Sequence, residues 1–159
     1  MEKLDSTIVW QIAIVVEDIE KTARNYSELF GVEMPEIIYG GPPEETKVLY
    51  RDNPVRAEHK MAFIKMGLMQ LEIIEPNHQP SAWRDFLDNQ GEGVHHIALN
   101  VGDVTETLEF LNTKGMKLLQ RGEFGGGSYH YVDSYPALGV VLELSEKKKE
   151  RRIQIRSEE

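Results

Sequence analysis

Residues 94–103 of the chain read VHHIALNVGD, and residues 9–18 read VWQIAIVVED. When these stretches are aligned at a spacing of 85 residues, the first, fourth, fifth, eighth and tenth positions are identical. Residues 71–75, LEIIE, resemble residues 142–146, LELSE, at a spacing of 71. Self-similarity of this kind indicates duplicated supersecondary units. The sequence therefore predicts two copies of one unit, with an extra stretch in the first copy around residues 40–43.

Each copy has the pattern of a β-α-β-β-β unit. An apolar, β-rich run leads to Asp18 or Asp103, short carboxylates that are typical helix N-caps. Apolar residues then recur at helical spacing until Gly31 or Gly115, which are typical of helix ends. Three further strands are predicted in each copy, at residues 47–50, 60–65 and 68–74 in the first and at residues 117–120, 128–133 and 139–144 in the second.

These elements predict a single α+β domain over residues 1–146. The first module covers about residues 7–78 and the second about residues 92–146, with a linker helix at about 80–91. Residues 147–159 form a charged C-terminal tail, to which we assign no function.

Composition excludes several classes of protein. The chain has 18 Lys and Arg against 27 Asp and Glu, a net charge of −9, and no sustained basic stripe, so we expect no nucleic-acid partner. It has no cysteine, which excludes disulfides, thiolate metal sites and a cysteine nucleophile. No targeting signal or bilayer-length apolar stretch is present. We expect a soluble, cytoplasmic protein without membrane contact.

Four polar residues lie at repeat-equivalent places in apolar strands. Gln11 corresponds to His96, and Glu72 corresponds to Glu143. A buried carboxylate needs a partner or a cation, and two converging carboxylates raise each other's pKa. A divalent ion resolves both difficulties. One nitrogen and three oxygen donors are typical of an octahedral ion that keeps water or substrate in its remaining positions, and Co²⁺, Mn²⁺, Ni²⁺, Zn²⁺ and Mg²⁺ all fit.

Strand alternation predicts where the neighbouring side chains point. Successive residues face opposite sides of a sheet, so Trp10 should face away from Gln11, and His95 away from His96. We therefore expect His95 to have a packing or supporting role and not to be a metal ligand. Structural or surface roles are expected for the isolated histidines, His59, His78 and His130.

With these features, the chain resembles the vicinal oxygen chelate superfamily over residues 8–146. The segments that carry the resemblance are residues 71–76, 86–99 and 139–144. The paired histidines after a short Gly-rich linker are most similar to those of the methylmalonyl-CoA epimerases. The resemblance implies two tandem βαβββ modules that form a cupped, incompletely closed mixed sheet around a divalent metal, with helices outside.

Residue by residue, the family's metal positions fall on Gln11, Glu72, His96 and Glu143. Epimerases usually have histidine at the first of these positions, whereas a Gln, Glu, His, Glu set is similar to that of some glyoxalase I enzymes. Residues 131–136, YVDSYP, differ from the Phe-Leu-His-Pro-like stretch of the epimerases. Residues 60–64 also offer no interior glutamate as a second base.

The resemblance implies a metal-dependent epimerase of a methylmalonyl-CoA-type thioester, which acts through a metal-stabilised enediolate. Glu143 and Glu72 are the candidate acid/base groups, because inversion needs a proton removed on one face and returned on the other. An acyl-CoA substrate and a homodimer are expected. Candidate cations for the phosphates of CoA are Arg51, Arg56, Lys60 and Arg121.

Two alternatives stay open. A glyoxalase-I-type lyase uses related enediolate chemistry on a thiol hemithioacetal, and Gln11 favours it. A metal-free protein that binds or sequesters a small molecule is the third hypothesis, although such proteins typically lose the ligand set that this sequence keeps.

Overall fold

The computed structural model describes residues 1–147 of the chain. Within this range the chain forms ten strands and five helices. The strands are β1 (Val9–Val15), β2 (Ile38–Tyr39), β3 (Leu49–Tyr50), β4 (Asn53–Pro54), β5 (His59–Met66), β6 (Met69–Pro76), β7 (Gly93–Asn100), β8 (Leu118–Phe124), β9 (Gly127–Val132) and β10 (Val141–Lys147). The helices are α1 (Ile19–Phe30), α2 (Pro43–Thr46), α3 (Ala82–Gln90), α4 (Val104–Thr113) and α5 (Tyr135–Leu138). Apart from Lys147, the charged tail predicted at residues 147–159 lies outside the described residues.

All ten strands belong to one mixed sheet in the order β2-β5-β6-β1-β7-β10-β9-β8-β3-β4. At its centre β1 and β7 run antiparallel, and each has a parallel neighbour that closes its own repeat, β6 beside β1 and β10 beside β7. The two repeats are therefore related by a pseudo-twofold axis between β1 and β7. The curled, open sheet confirms the predicted α+β fold.

The first helix of each repeat begins where the sequence predicts. The Asp18 carboxylate accepts a hydrogen bond from the backbone N–H of Lys21 at 2.9 Å, and Asp103 accepts from Glu106 at 2.8 Å. Gly31 ends α1 with a φ of 64°, a conformation that glycine adopts without strain. The two N-cap bonds satisfy orphan N–H groups at equivalent places in the repeats.

The helices cover the outer face of the sheet. Ile19 and Ala23 of α1 pack against Ile14, Ile64 and Ile73 on the strands of the first repeat. On the second repeat, α4 packs in the same way through the buried cluster around Leu111 and Leu144. None of the described helices has both the length and the apolar character that a membrane-spanning helix needs.

The strand pairing predicted for the segment between residues 40 and 58 is wrong. The sequence predicts residues 47–50 as a strand of the first repeat, but β3 pairs with β8 at the far edge of the second, and the short β2 pairs with β5 instead. The extra residues of the first repeat thus carry the chain across to the second. Val48 and Tyr50 are buried there in one cluster with Trp83 and Tyr131, and this apolar burial stabilises the crossing.

Two β-bulges interrupt the central strand pair. The register between β1 and β7 shifts by one residue at Trp10 and again at His95. These residues are 85 positions apart, so they occupy equivalent places in the repeats. A bulge re-aims the side chain of the extra residue. The alternation that we expected is therefore wrong at both places: Trp10 lines the same cavity as Gln11, and His95 contacts His96.

We expect Asp18→Ala and Asp103→Ala each to lower the free energy of unfolding by about 1 kcal/mol, because each removes an N-cap bond. Chemical denaturation of the purified variants measures the effect. Asp18→Asn and Asp103→Asn should retain most of the stability, and Glu109→Ala, an exposed position within α4, serves as the control. Full stability in both alanine variants would contradict the capping assignment.

Candidate metal centre

The concave face of the sheet holds a cavity of about 430 Å³ with walls from both repeats. Its charged and amide lining consists of Gln11, Gln70, Glu72, Asn100, Glu123 and Glu143. Much of the remaining wall is apolar or aromatic, formed by Trp10, Met61, Phe63, Trp83, Phe124, Tyr129 and Tyr131. Within residues 1–147, no lysine or arginine lines this cavity. Polar chemistry is thus concentrated on a few side chains in a mostly apolar space, as is usual for small-molecule sites.

Three of the four predicted ligands meet at one point. The Nε2 atom of His96 lies 2.8 Å from Glu143 Oε2 and 3.4 Å from Glu72 Oε2. One potential ligand atom from each residue lies within 4.8 Å of the other two, and all three residues are buried. The donors come from β6, β7 and β10, so the site depends on the pairing of both repeats.

Two alanines leave the space in which these side chains converge. Ala13 lies between Glu72 and His96 in the strand register. Its repeat equivalent, Ala98, lies between Gln11 and Glu143 in the same way. Directly opposed residues point to the same face of a sheet, and both alanines are fully buried. A larger side chain at either position would occupy the space above the central strands.

Gln11, the fourth predicted ligand, lines the cavity beside this cluster. Its Nε2 donates a hydrogen bond to Gln70 Oε1 at 2.7 Å, which engages the amide nitrogen. A metal bond from this side chain would therefore use its oxygen. That bond remains a prediction.

Burial and mutual charge set the ionisation of the cluster. Burial raises the pKa of Glu72, and the nearby Glu143 carboxylate raises it further. Burial alone would lower the pKa of His96, but Glu143 and Glu72 raise it to about 9. The pKa of Glu143 is lowered despite burial, because His96 and the Ser145 hydroxyl stabilise its charged form. In the absence of a metal, a protonated imidazole thus supplies the positive charge between the two carboxylates.

The geometry at His96 fits a divalent cation. Although two carboxylate oxygens are near, the buried Nε2 atom finds no hydrogen-bond partner with acceptable direction among the described residues. A buried polar atom without such a bond is costly. An ion between the imidazole and the carboxylates would satisfy all three donors, which are the ligand types that first-row divalent metals accept.

Glu143 is further oriented by its own strand. Ser145, two residues along β10 and therefore on the same face, donates its hydroxyl to Glu143 Oε1 at 2.7 Å. The other oxygen, Oε2, is the one that faces His96. The serine thus leaves one carboxylate oxygen directed at the cluster.

His59 is a cavity residue that our sequence reasoning missed. Its ring lies 4.3 Å from the indole of Trp83 and lines the cavity. On its other side is Gly40, where an added Cβ would stand 2.5 Å from the ring. Burial lowers the pKa of His59 to about 4, so the ring is neutral at pH 7. Strand alternation from Phe63, which pairs with Glu72, could have placed His59 on this face.

The cations proposed for CoA do not line the cavity. Arg51 lies 3.5 Å from Asp85, Arg56 lies 3.3 Å from Glu44, and Lys60 lies 3.1 Å from Glu75, all nitrogen-to-oxygen distances. These three side chains are therefore paired with carboxylates on the protein itself. The buried Nε of Arg121 has no hydrogen-bond partner among the described residues.

Similar proteins have been described. YqjC of Bacillus subtilis (strain 168), an uncharacterised protein, is 28% identical over 151 residues, which cover 93% of this chain and 94% of that one. The mitochondrial methylmalonyl-CoA epimerase of Homo sapiens is 27% identical over 139 residues, covering 85% of this chain and 71% of that one. The crystal structure of methylmalonyl-CoA epimerase from Mycobacterium tuberculosis matches with a TM-score of 0.58 at 17% identity, over 94% of this chain and 93% of that one.

The family model of the glyoxalase/bleomycin resistance protein/dioxygenase superfamily matches residues 10–132. This range runs from the first bulge, at Trp10, to the end of β9, and it includes most of the strands that build the cavity. With its duplicated strands and the buried cluster between them, the chain belongs to the glyoxalase/bleomycin resistance protein/dioxygenase superfamily.

Proposed function

We propose that this protein is a metal-dependent epimerase that removes and returns the α-proton of a methylmalonyl-CoA-type thioester. The observation that carries the proposal is the buried cluster of Glu72, His96 and Glu143 on a cavity with a mostly apolar wall. The similarity to methylmalonyl-CoA epimerases over most of the chain supports it.

In this proposal Glu72, His96 and Glu143 hold one divalent ion, and the oxygen of Gln11 completes the protein ligand set. When bound, the ion supplies Lewis-acid stabilisation of the negative charge that develops on the substrate oxygens as the α-proton leaves. The donor set is compatible with Co²⁺, Mn²⁺, Ni²⁺, Zn²⁺ and Mg²⁺. We infer no preference among them.

Epimerisation needs two proton-transfer groups on opposite faces of the substrate carbon. Glu143 and Glu72 belong to opposite repeats, so a substrate near the pseudo-twofold axis has one carboxylate on each side. We assign Glu143 as the first base, with Ser145 holding the carboxylate through Oε1. Glu72 is the partner that returns the proton on the other face.

The walls of the cavity suit the acyl part of such a substrate. Phe63 is directly opposed to Glu72 in the sheet, and Met61 is two residues along the same strand, so both offer apolar contact beside the cluster. The phosphates of CoA would lie outside the cavity, where Arg51, Arg56, Lys60 and Arg121 are candidates. Arg51, Arg56 and Lys60 would exchange their carboxylate partners for these phosphates.

A glyoxalase-I-type reaction is the second candidate, and the position of Gln11 favours it. Its amide is held by Gln70 on the wall of the cavity, where the epimerases usually have histidine. The thioester product formed from methylglyoxal and a thiol is measured by its ultraviolet absorbance. A rate with methylglyoxal above that with methylmalonyl-CoA would favour the lyase.

Incubation with methylmalonyl-CoA and Co²⁺ in D₂O should place deuterium on the α-carbon, because proton return draws on solvent. Mass spectrometry of the substrate measures the exchange. Glu143→Gln should slow it by at least about 100-fold, since general acid–base groups contribute about 10²–10⁴-fold. The exposed Glu146→Gln on the same strand is the matched control and should exchange at the wild-type rate. No deuteration by the Co²⁺-loaded wild-type protein would reject the proposal.

Metal affinity should depend on the three clustered side chains. Glu72→Gln and His96→Gln should each weaken Co²⁺ or Mn²⁺ binding, measured by isothermal titration calorimetry, by about 100-fold or more. Loss of an outer partner of a ligand already costs about 10–100-fold, and loss of a ligand should cost no less. Glu146→Gln again serves as the control. A wild-type protein that binds neither ion would favour the third hypothesis, a metal-free binding protein.

A further inference from the structure

His95 makes a buried contact that packing alone does not require. Its Nδ1 atom lies 2.9 Å from the Nδ1 of His96, and the two residues are 1% and 0% exposed. At this distance one nitrogen must donate a proton and the other must accept it. The pair is therefore a directed hydrogen bond between adjacent residues of β7.

We propose that His95 is a positioning residue for the metal centre: its Nδ1 accepts the Nδ1–H of His96 and so directs the Nε2 of His96 toward the carboxylates of Glu72 and Glu143. This inference rests on the metal site of the proposed function. It assigns to His95 no bond to the metal and no contact with substrate.

The direction of the hydrogen bond follows from the other end of the His96 ring. Nε2 is the atom that lies within 3.4 Å of both carboxylates, so it is the atom that would bind an ion. A neutral imidazole that coordinates through Nε2 carries its proton on Nδ1. His96 is then the donor and His95 the acceptor. An outer partner of this kind fixes both the tautomer and the orientation of a ligating histidine.

As the acceptor of this bond, His95 is a neutral imidazole whose Nδ1 carries no proton, so its own proton is on Nε2.

The surroundings of His95 leave its ring little freedom. Phe86 and Tyr131 meet it edge to face, with ring centroids at 5.3 Å and 5.2 Å. The start of α3 is also fixed, because the N–H of Ala82 donates to Gln120 Oε1 of β8 at 2.7 Å. The linker helix between the repeats thus supports the His95 ring through Phe86.

In the first repeat, a different residue hydrogen-bonds the side chain at the central donor position. Trp10 occupies the equivalent bulge but lines the cavity, and Gln11 is oriented by Gln70 at 2.7 Å instead. Each repeat thus has one side chain that hydrogen-bonds the residue at its central donor position, Gln70 for Gln11 and His95 for His96.

Two substitutions separate positioning from packing. His95→Phe keeps an aromatic ring between Phe86 and Tyr131 but removes the acceptor, whereas His95→Asn places an amide acceptor near the position of Nδ1. We expect His95→Phe to weaken Zn²⁺ or Mn²⁺ binding by about 10–100-fold and His95→Asn to restore most of the affinity. The control is His130→Phe, a buried histidine on β9 outside the cavity lining, which should bind as the wild type does.

A direct readout does not need enzyme activity. In ¹⁵N-labelled protein, NMR should show scalar coupling between the Nδ1 atoms of His95 and His96 across their hydrogen bond, with and without Zn²⁺. Thermal unfolding of the metal-free variants reports any structural damage separately.

Absence of the coupling, or wild-type affinity in His95→Phe, overturns the inference. A wild-type protein that shows the coupling but binds no metal overturns the metal role of His95 together with the proposed function, whereas normal metal binding by His95→Phe overturns the inference alone.

Discussion

The contact of two buried carboxylates with a single imidazole is the constraint on which the rest of the site depends. Glu72 and Glu143 lie on either side of His96 with nitrogen–oxygen distances of 3.4 Å and 2.8 Å. Two carboxylates at such short range in a buried space need either a cation between them or a proton on one of them. A protonated His96 supplies that charge in the metal-free chain, and a divalent ion would supply it in the proposed enzyme.

The duplicated sheet explains why this contact forms at the centre of the molecule. The antiparallel pair β1 and β7 relates the two repeats, so that Ala13 and Ala98 leave matching spaces and each parallel neighbour contributes one glutamate. The crossing of β3 to β8 then joins the first repeat to the far edge of the second. Neither repeat contains the three donors by itself, because Glu72 belongs to the first and His96 and Glu143 to the second.

Because the sequence contains a repeat, much of the fold and of the candidate site could be predicted from it. Identical residues at a spacing of 85 fixed the equivalence of Gln11 and His96, and the two helix caps at Asp18 and Asp103 followed from local chemistry. The directions of Trp10 and His95 could not be predicted, since period-two alternation assumes a regular strand and both residues sit in bulges. The pairing of β3 with β8 could not be predicted either, because it depends on burial against residues distant in sequence.

Anomalous diffraction from crystals grown with Co²⁺ tests the central claim most directly. The account predicts one strong peak between His96 Nε2 and the nearest oxygens of Glu72 and Glu143, at metal–ligand distances of about 2.0–2.2 Å as found for nitrogen and carboxylate ligands of such ions. Peaks only at surface carboxylates, with His96 still in direct contact with Glu143, would contradict it.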